Sequence, residues 1–240
     1  VYALRPDSLS WPLREDGSPS FKLELLSKAN GIEHMSAHDA LSDVHATIAL
    51  AKLIKTKEPK LYDYCYQLRD KHRVLAHIDI DERKPFLHIS SRFPASNGCA
   101  ALLAPLMRHP KNNNSIICYD LSVDPSPLLQ LSTDEVIERL YLKASALPAG
   151  IERIPLKEVH LNKSPMVITA KMLDDQTAQR LNISKHQCEL HWQQLCNTYL
   201  KDKLMTVYGD RSFASHTDAE HKLHAALTVH SDHALITDFS

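Results

Sequence analysis

Cys99-Ala-Ala-Leu-Leu-Ala-Pro-Leu-Met107, the turn cluster Pro110-Lys-Asn-Asn-Asn114 and Ile116-Ile-Cys-Tyr-Asp-Leu121 decide the fold class. Two apolar runs of strand length are separated by residues that favour turns, because proline interrupts a ladder and asparagine tolerates left-handed backbone. The pattern continues outward. Val74 to Ile80, Phe86 to Ile89 and Glu158 to Ile168 are further short apolar or alternating runs, and Pro94-Ala-Ser-Asn-Gly98 is a second turn cluster. Together they predict a small antiparallel sheet or barrel. Ser132 to Ala144 interrupts it as a helix, with Ser132 and Glu135 forming a capping box ahead of Val136, Leu140 and Leu142.

On either side of this β region the period changes to that of helices. Phe21, Leu25 and Ala29 share a helical face that stops at Asn30-Gly31. Ser36 to Lys55 places Leu41, Val44, Ile48 and Ala51 at helical spacing and ends before Pro59, which predicts a long amphipathic helix. Lys57-Glu-Pro-Lys60 carries a helix stop, Leu61 to Arg69 is helical again, and a domain boundary is expected near Pro59. Beyond Leu173 the helical period returns through Leu190, Leu195 and Leu200 to about Val207, with a last helical stretch from Asp218. The fold class read from this order is α+β.

Composition narrows the function classes. Across 240 residues, 28 basic and 29 acidic side chains nearly cancel, so a polyanion site must be a local groove rather than a basic coat. Gly is scarce at 5 residues, and neither G-x-x-x-x-G-K-[ST] nor G-x-G-x-x-G occurs, which removes Gly-loop nucleotide enzymes. The five cysteines include no C-x-x-C pair, which points to a reducing cytoplasm rather than a disulfide framework. The 15 histidines show no regular ligand frame. No apolar run is long enough for a spanning helix, so no membrane association is expected. The chain opens at Val1 without a signal segment and reads as a piece of a longer protein.

The stretch with most chemistry in it is Ala37-His38-Asp39-Ala40-Leu41-Ser42-Asp43-Val44-His45-Ala46-Thr47. On one continuous helix His38 and Asp43 would point about 140° apart, so they converge only if His38 sits at the non-helical cap. In that layout the carboxylate holds a divalent ion and the imidazole takes a proton from an attacking water, as metal-assisted phosphodiester cleavage requires. The same residues also allow a purely structural reading. Ser36 and Asp39 make a capping box, and Asp43 is then a solvated helix residue.

Phe21-Lys-Leu-Glu-Leu-Leu-Ser-Lys-Ala-Asn-Gly-Ile-Glu-His34, followed by Ala37 to Lys52, resembles the third motif of the DEDDh 3′–5′ exonucleases, and more narrowly the bacterial exodeoxyribonuclease I family. The likeness continues in order through Leu61-Tyr-Asp-Tyr64, Lys71-His-Arg73, Lys84-Pro85, Ala104-Pro-Leu106, His109-Pro110, Ser126-Pro-Leu-Leu129, Glu138-Arg-Leu-Tyr141 and Val159-His-Leu-Asn-Lys-Ser-Pro165, and weakens after about Trp192. It implies the C-terminal part of an RNase H-like exonuclease domain at 1–58, an SH3-like antiparallel β domain with inserted helices at 59–210, and the start of a C-terminal helical domain at 211–240. The implied activity is magnesium-dependent 3′–5′ degradation of single-stranded DNA to nucleoside 5′-monophosphates in DNA repair and recombination, by a monomer.

Residue by residue, the resemblance makes His38 the general base, Asp43 a magnesium ligand and Lys22 a contact to the terminal nucleotide. Lys71, Asn114, Lys157 and Asn162 become DNA contacts of the β domain. Strict strand alternation over Lys157 to Asn162 puts those two on opposite faces, so a bulge or a strand end is needed for both to serve one groove. Arg5 and Tyr64 match positions that bind the acidic C-terminal tail of single-stranded DNA-binding protein, while Asp174 stands where the family can carry a basic residue. The family's first motif, an Asp-x-Glu on a strand, has no counterpart in the 37 residues before His38. Asp79-Ile80-Asp81 and Asp218-Ala219-Glu220 imitate it on the wrong side of His38. Two competing readings are a non-catalytic module for single-stranded DNA or a partner's tail, and an HD-type phosphohydrolase centred on His38-Asp39.

Overall fold

A computed structural model describes residues 1–32, 40–142 and 147–209. Strands β1 (Phe86–Ile89), β2 (Ala100–Arg108), β3 (Ser115–Asp120), β4 (Leu156–His160) and β5 (Met166–Thr169) form one antiparallel sheet in the order β4-β3-β2-β1-β5. Alternation divides its side chains between two cores. Leu87, Leu102, Ala104, Ile117, Tyr119, Leu156 and Ile168 face one way; Phe86, Leu103, Ile116, Cys118, Val159 and Val167 face the other. Both faces are covered, which is why β3 is buried along its whole length and reads as a continuous apolar run. Burying Ile116 and Ile117 completely contributes about 1.5–3 kcal/mol each.

Pro105 lies inside β2, where a proline removes a ladder donor. The pairing absorbs it. β1 pairs with β2 only as far as Leu103, and the β2–β3 register shifts between Pro105 and Met107. The irregularity falls just before the loop that joins β2 to β3.

Helices α1 (Leu23–Ala29), α2 (Ala40–Lys57) and α3 (Pro59–Gln67) precede the sheet, and Pro59 takes the first turn of α3, where its missing N–H costs nothing. Val74 to Ile80 is not a strand. It is α4 (Lys71–Ala76) and the turn after it, with the Asp70 carboxylate capping His72 N at 2.8 Å. Val74 and Ile78 are buried four residues apart on the second core, a helical spacing hidden in a short apolar run. The single run Glu158 to Ile168 is likewise two strands. A turn at Leu161 to Pro165 sends β5 to the far edge of the sheet, and buried Leu161 is what makes the two read as one.

Between β3 and β4 stand α5 (Ser126–Gln130) and α6 (Thr133–Tyr141), the latter with the expected Ser132–Glu135 capping box. The C-terminal helical run is three helices, α7 (Asp175–Arg180), α8 (Lys185–Cys196) and α9 (Lys201–Gly209), of which α7 and α8 start at side-chain caps from Asp174 and Ser184. The apolar stripe of α2 is largely exposed, Leu41 by 64%, Val44 by 52% and Ile48 by 47%, while Ala51 is half-buried and only Ala46 is buried. His38, the Ser36–Asp39 box, Asp218-Ala219-Glu220 and the helix expected from Asp218 lie outside the described residues.

Candidate nucleic-acid interface

Two of the four predicted DNA contacts meet directly. Lys71 opens α4 and Asn114 ends the β2–β3 loop, and Lys71 Nζ donates to Asn114 Oδ1 at 3.3 Å across 43 residues of chain. Val74 anchors α4 in the second core, so the helix sits over that face of the sheet. Lys157 lies on the same face: it pairs with Cys118 in register, and its Nζ stands 5.5 Å from the Phe93 ring centroid. Phe93 is a contact that no sequence pattern marked. Its buried ring lies beneath the ammonium of the half-buried lysine, a cation over an aromatic face.

Asn162 is exposed in the turn after β4, beyond the alternation that opposed it to Lys157. Leu161 N donates to Asn114 O at 2.7 Å, so Asn162 follows directly on the residue that pins the Asn114 loop. The arrangement offers two ammonium groups and the Asn114 amide over one face of the sheet, with Asn162 in the adjoining turn. Ammonium groups suit phosphates, and amides suit phosphates or base edges.

Asp43 is half-buried in the first turn of α2, and Lys22 is exposed at the N-cap of α1, which packs on α2. His38 is outside the described residues. Among the described residues no three His, Cys, Asp or Glu side chains gather as ligands. Asp79 is engaged locally. It accepts from Glu82 N at 3.1 Å and from Lys84 Nζ at 2.6 Å, and those bonds hold its carboxyl below the usual range.

Arg5 and Tyr64 do come together. Both line an apolar cavity of about 430 Å³ with Leu4, Leu61, His77 and Ile168. The Tyr64 hydroxyl donates to Val167 O at 2.6 Å, fixing α3 to β5, and burial pushes its pKa up. Arg5 Nε lies 3.6 Å from Glu58 Oε2 at the rim, so an incoming carboxylate would compete with Glu58. Asp174 is the α7 cap, accepting from Thr177 N at 2.7 Å, and that bond holds its pKa down.

An antiparallel sheet buried on both faces excludes the all-helical HD fold. The exonuclease I SH3-like domain family matches residues 69–210, the stretch that contains all five strands and the Lys71–Asn114 contact. The chain belongs to that family. Exodeoxyribonuclease I of Escherichia coli (strain K12) is 44% identical over 210 residues, covering 87% of this chain and 44% of that protein. The crystal structure of E. coli exonuclease I with a dA16 oligonucleotide superposes with a TM-score of 0.85 at 40% identity, covering 96% of this chain and 52% of that one. A structure described as SSB/exonuclease I with the inhibitor CFAM gives 0.78 at 42% identity, over 90% and 45%. The chain thus spans about half the length of the exonuclease I proteins it matches.

Proposed function

We propose that the chain is a section of a magnesium-dependent 3′–5′ exodeoxyribonuclease that degrades single-stranded DNA to nucleoside 5′-monophosphates in DNA repair and recombination. The observation that carries this reading is the Lys71–Asn114 contact, with Lys157 on the same face, in a member of the exonuclease I family. In this reading Lys71 and Lys157 neutralise phosphates while Asn114 and Asn162 meet phosphates or bases. Lys22 contacts the terminal nucleotide, His38 takes the proton of the attacking water, and Asp43 supplies one carboxylate to a metal site whose other ligands lie elsewhere in the parent protein.

The domain division belongs to the same proposal: nuclease domain to residue 58, SH3-like domain from 59 to 210, helical domain from 211. The exposed apolar stripe of α2 supports it, because a patch of that kind marks a surface that packs against something else. The cavity of Arg5 and Tyr64 takes the acidic C-terminal tail of single-stranded DNA-binding protein, its apolar walls holding apolar side chains and Arg5 a carboxylate. The protein acts as a monomer in the cytoplasm, where its five free thiols stay reduced.

A second reading keeps the binding and drops the catalysis. It is favoured by the lack of a three-ligand group among the described residues, and it describes this chain by itself. One experiment separates the two. The chain alone, given a labelled oligonucleotide and magnesium, should bind without releasing nucleotides. Joined to an upstream segment carrying the missing carboxylates, it should degrade the strand from its 3′ end. In the joined protein Asp43→Asn should weaken metal binding, and His38→Ala should slow turnover by roughly 10²–10⁴-fold with DNA binding intact. A joined, folded protein that stays inactive leaves only the binding module.

A further inference from the structure

We propose that His109 is a positioning residue that holds the β2–β3 loop in the shape that presents Asn114 to Lys71 and to the DNA strand; this rests on the reading of Asn114 as a DNA contact. His109 follows β2 directly and is 9% exposed. Its Nδ1 accepts two backbone N–H groups, those of Lys111 and Asn112, each at 3.1 Å. A ring nitrogen accepts only when it carries no proton, so Nδ1 is bare and the neutral ring holds its proton on Nε2. Nε2 lies 3.9 Å from Glu158 Oε1 on β4, and the ring stands edge-on to Tyr208 of α9 at 5.2 Å.

From this buried end the bonds run outward to the surface. Asn112 Oδ1 accepts from Asn114 N at 3.0 Å, and Asn112 O accepts from Ser115 N at 2.9 Å. His109 N donates to Ser115 O at 3.0 Å, Leu161 N to Asn114 O at 2.7 Å, and Lys71 Nζ to Asn114 Oδ1. The loop itself, Pro110-Lys-Asn-Asn-Asn114, has no large apolar side chain to pack, so its conformation comes from these bonds. Inward-facing backbone N–H groups need an acceptor, and the His109 ring satisfies two with one atom. An amide fixed before DNA arrives has less ordering entropy to lose on binding.

Two substitutions separate positioning from bulk. H109N puts a carbonyl oxygen close to where Nδ1 sits, whereas H109Q carries its amide further out, near Nε2. In the 240-residue chain, Lys111 and Asn112 amides should exchange slowly in the wild type and in H109N, and fast in H109Q. Long-range nitrogen–proton spectra should show His109 protonated on Nε2. With a labelled dT16 strand, H109Q and N114A should each weaken binding by roughly three- to tenfold, H109N should bind like the wild type, and H109Q/N114A should be no weaker than N114A. A proton on Nδ1, or additive losses in the double variant, would overturn the proposal. So would wild-type binding by H109Q alongside a weakened N114A. If N114A binds as well as the wild type, the reading of Asn114 is what fails and the role of His109 in DNA binding falls with it.

Discussion

At the scale of single residues, Gly98 shows how a turn is fixed by what cannot fit. Its φ is +61°, and a Cβ there would come within 2.7 Å of Leu181 and 2.8 Å of Tyr2. Gly98→Ala combines left-handed strain with a clash against side chains from two other segments. It is expected to cost about 2–4 kcal/mol, read as a lower urea midpoint at unchanged slope; a loss under about 0.5 kcal/mol would mean that Tyr2 and Leu181 move aside freely. The turn was legible in Pro94-Ala-Ser-Asn-Gly98, but its partners were not, since both come from far along the chain. The same holds at the candidate site. Only the family resemblance marks Lys71 and Asn114, and their contact spans 43 residues that no local pattern connects. Phe93 beneath Lys157 carried no signal at all, because a single aromatic in a turn-rich stretch looks like any core residue.

Among the elements, those specified by local chemistry were the readable ones. The capping box of α6 is present in full, with Ser132 Oγ accepting from Glu135 N and Glu135 returning to Ser132 N. Ser132→Ala should therefore destabilise the protein by about 1 kcal/mol, measured by thermal or urea unfolding; no change would mean that Val136 and Leu140 hold α6 without its cap. Elements whose identity depends on distant packing are not legible from local pattern. Val74 and Ile78 are both buried, and four-residue spacing inside a seven-residue run cannot be told from a strand until the core beneath is known. β4 and β5 merged for a related reason: Leu161 is buried in the turn, so the break in the sequence is only Asn162-Lys163-Ser164. The α2 stripe had the right period, yet burial depends on a neighbour, which the period does not supply.

For the molecule as a whole, its ionisable groups bound the pH range in which it is stable. Asp79, Asp124, Glu135 and Asp174 are all held below their ordinary pKa by hydrogen bonds. What they contribute is present above the unfolded values near 4 and is lost as pH falls through the lower folded values. On the alkaline side burial pushes Cys118 and Tyr208 up and Cys188 up to about 11. Their contribution is full below the unfolded values and is lost as pH rises through the folded ones, so the unfolding midpoint should decline above about pH 9. A thiol reagent at pH 8 should accordingly modify exposed Cys196 in the folded protein and reach Cys118 and Cys188 only on unfolding. With 28 basic and 29 acidic side chains, the molecule can hold a single strand only through local cations. The salt dependence of oligonucleotide binding decides whether it does, because each phosphate contact on a single strand adds about 0.7 to the log–log slope. Lys71→Ala and Lys157→Ala should each weaken binding and flatten the slope by about that amount, with base preference unchanged. Slopes equal to the wild type in both variants would refute the local-cation interface and leave the two lysines as solvated surface.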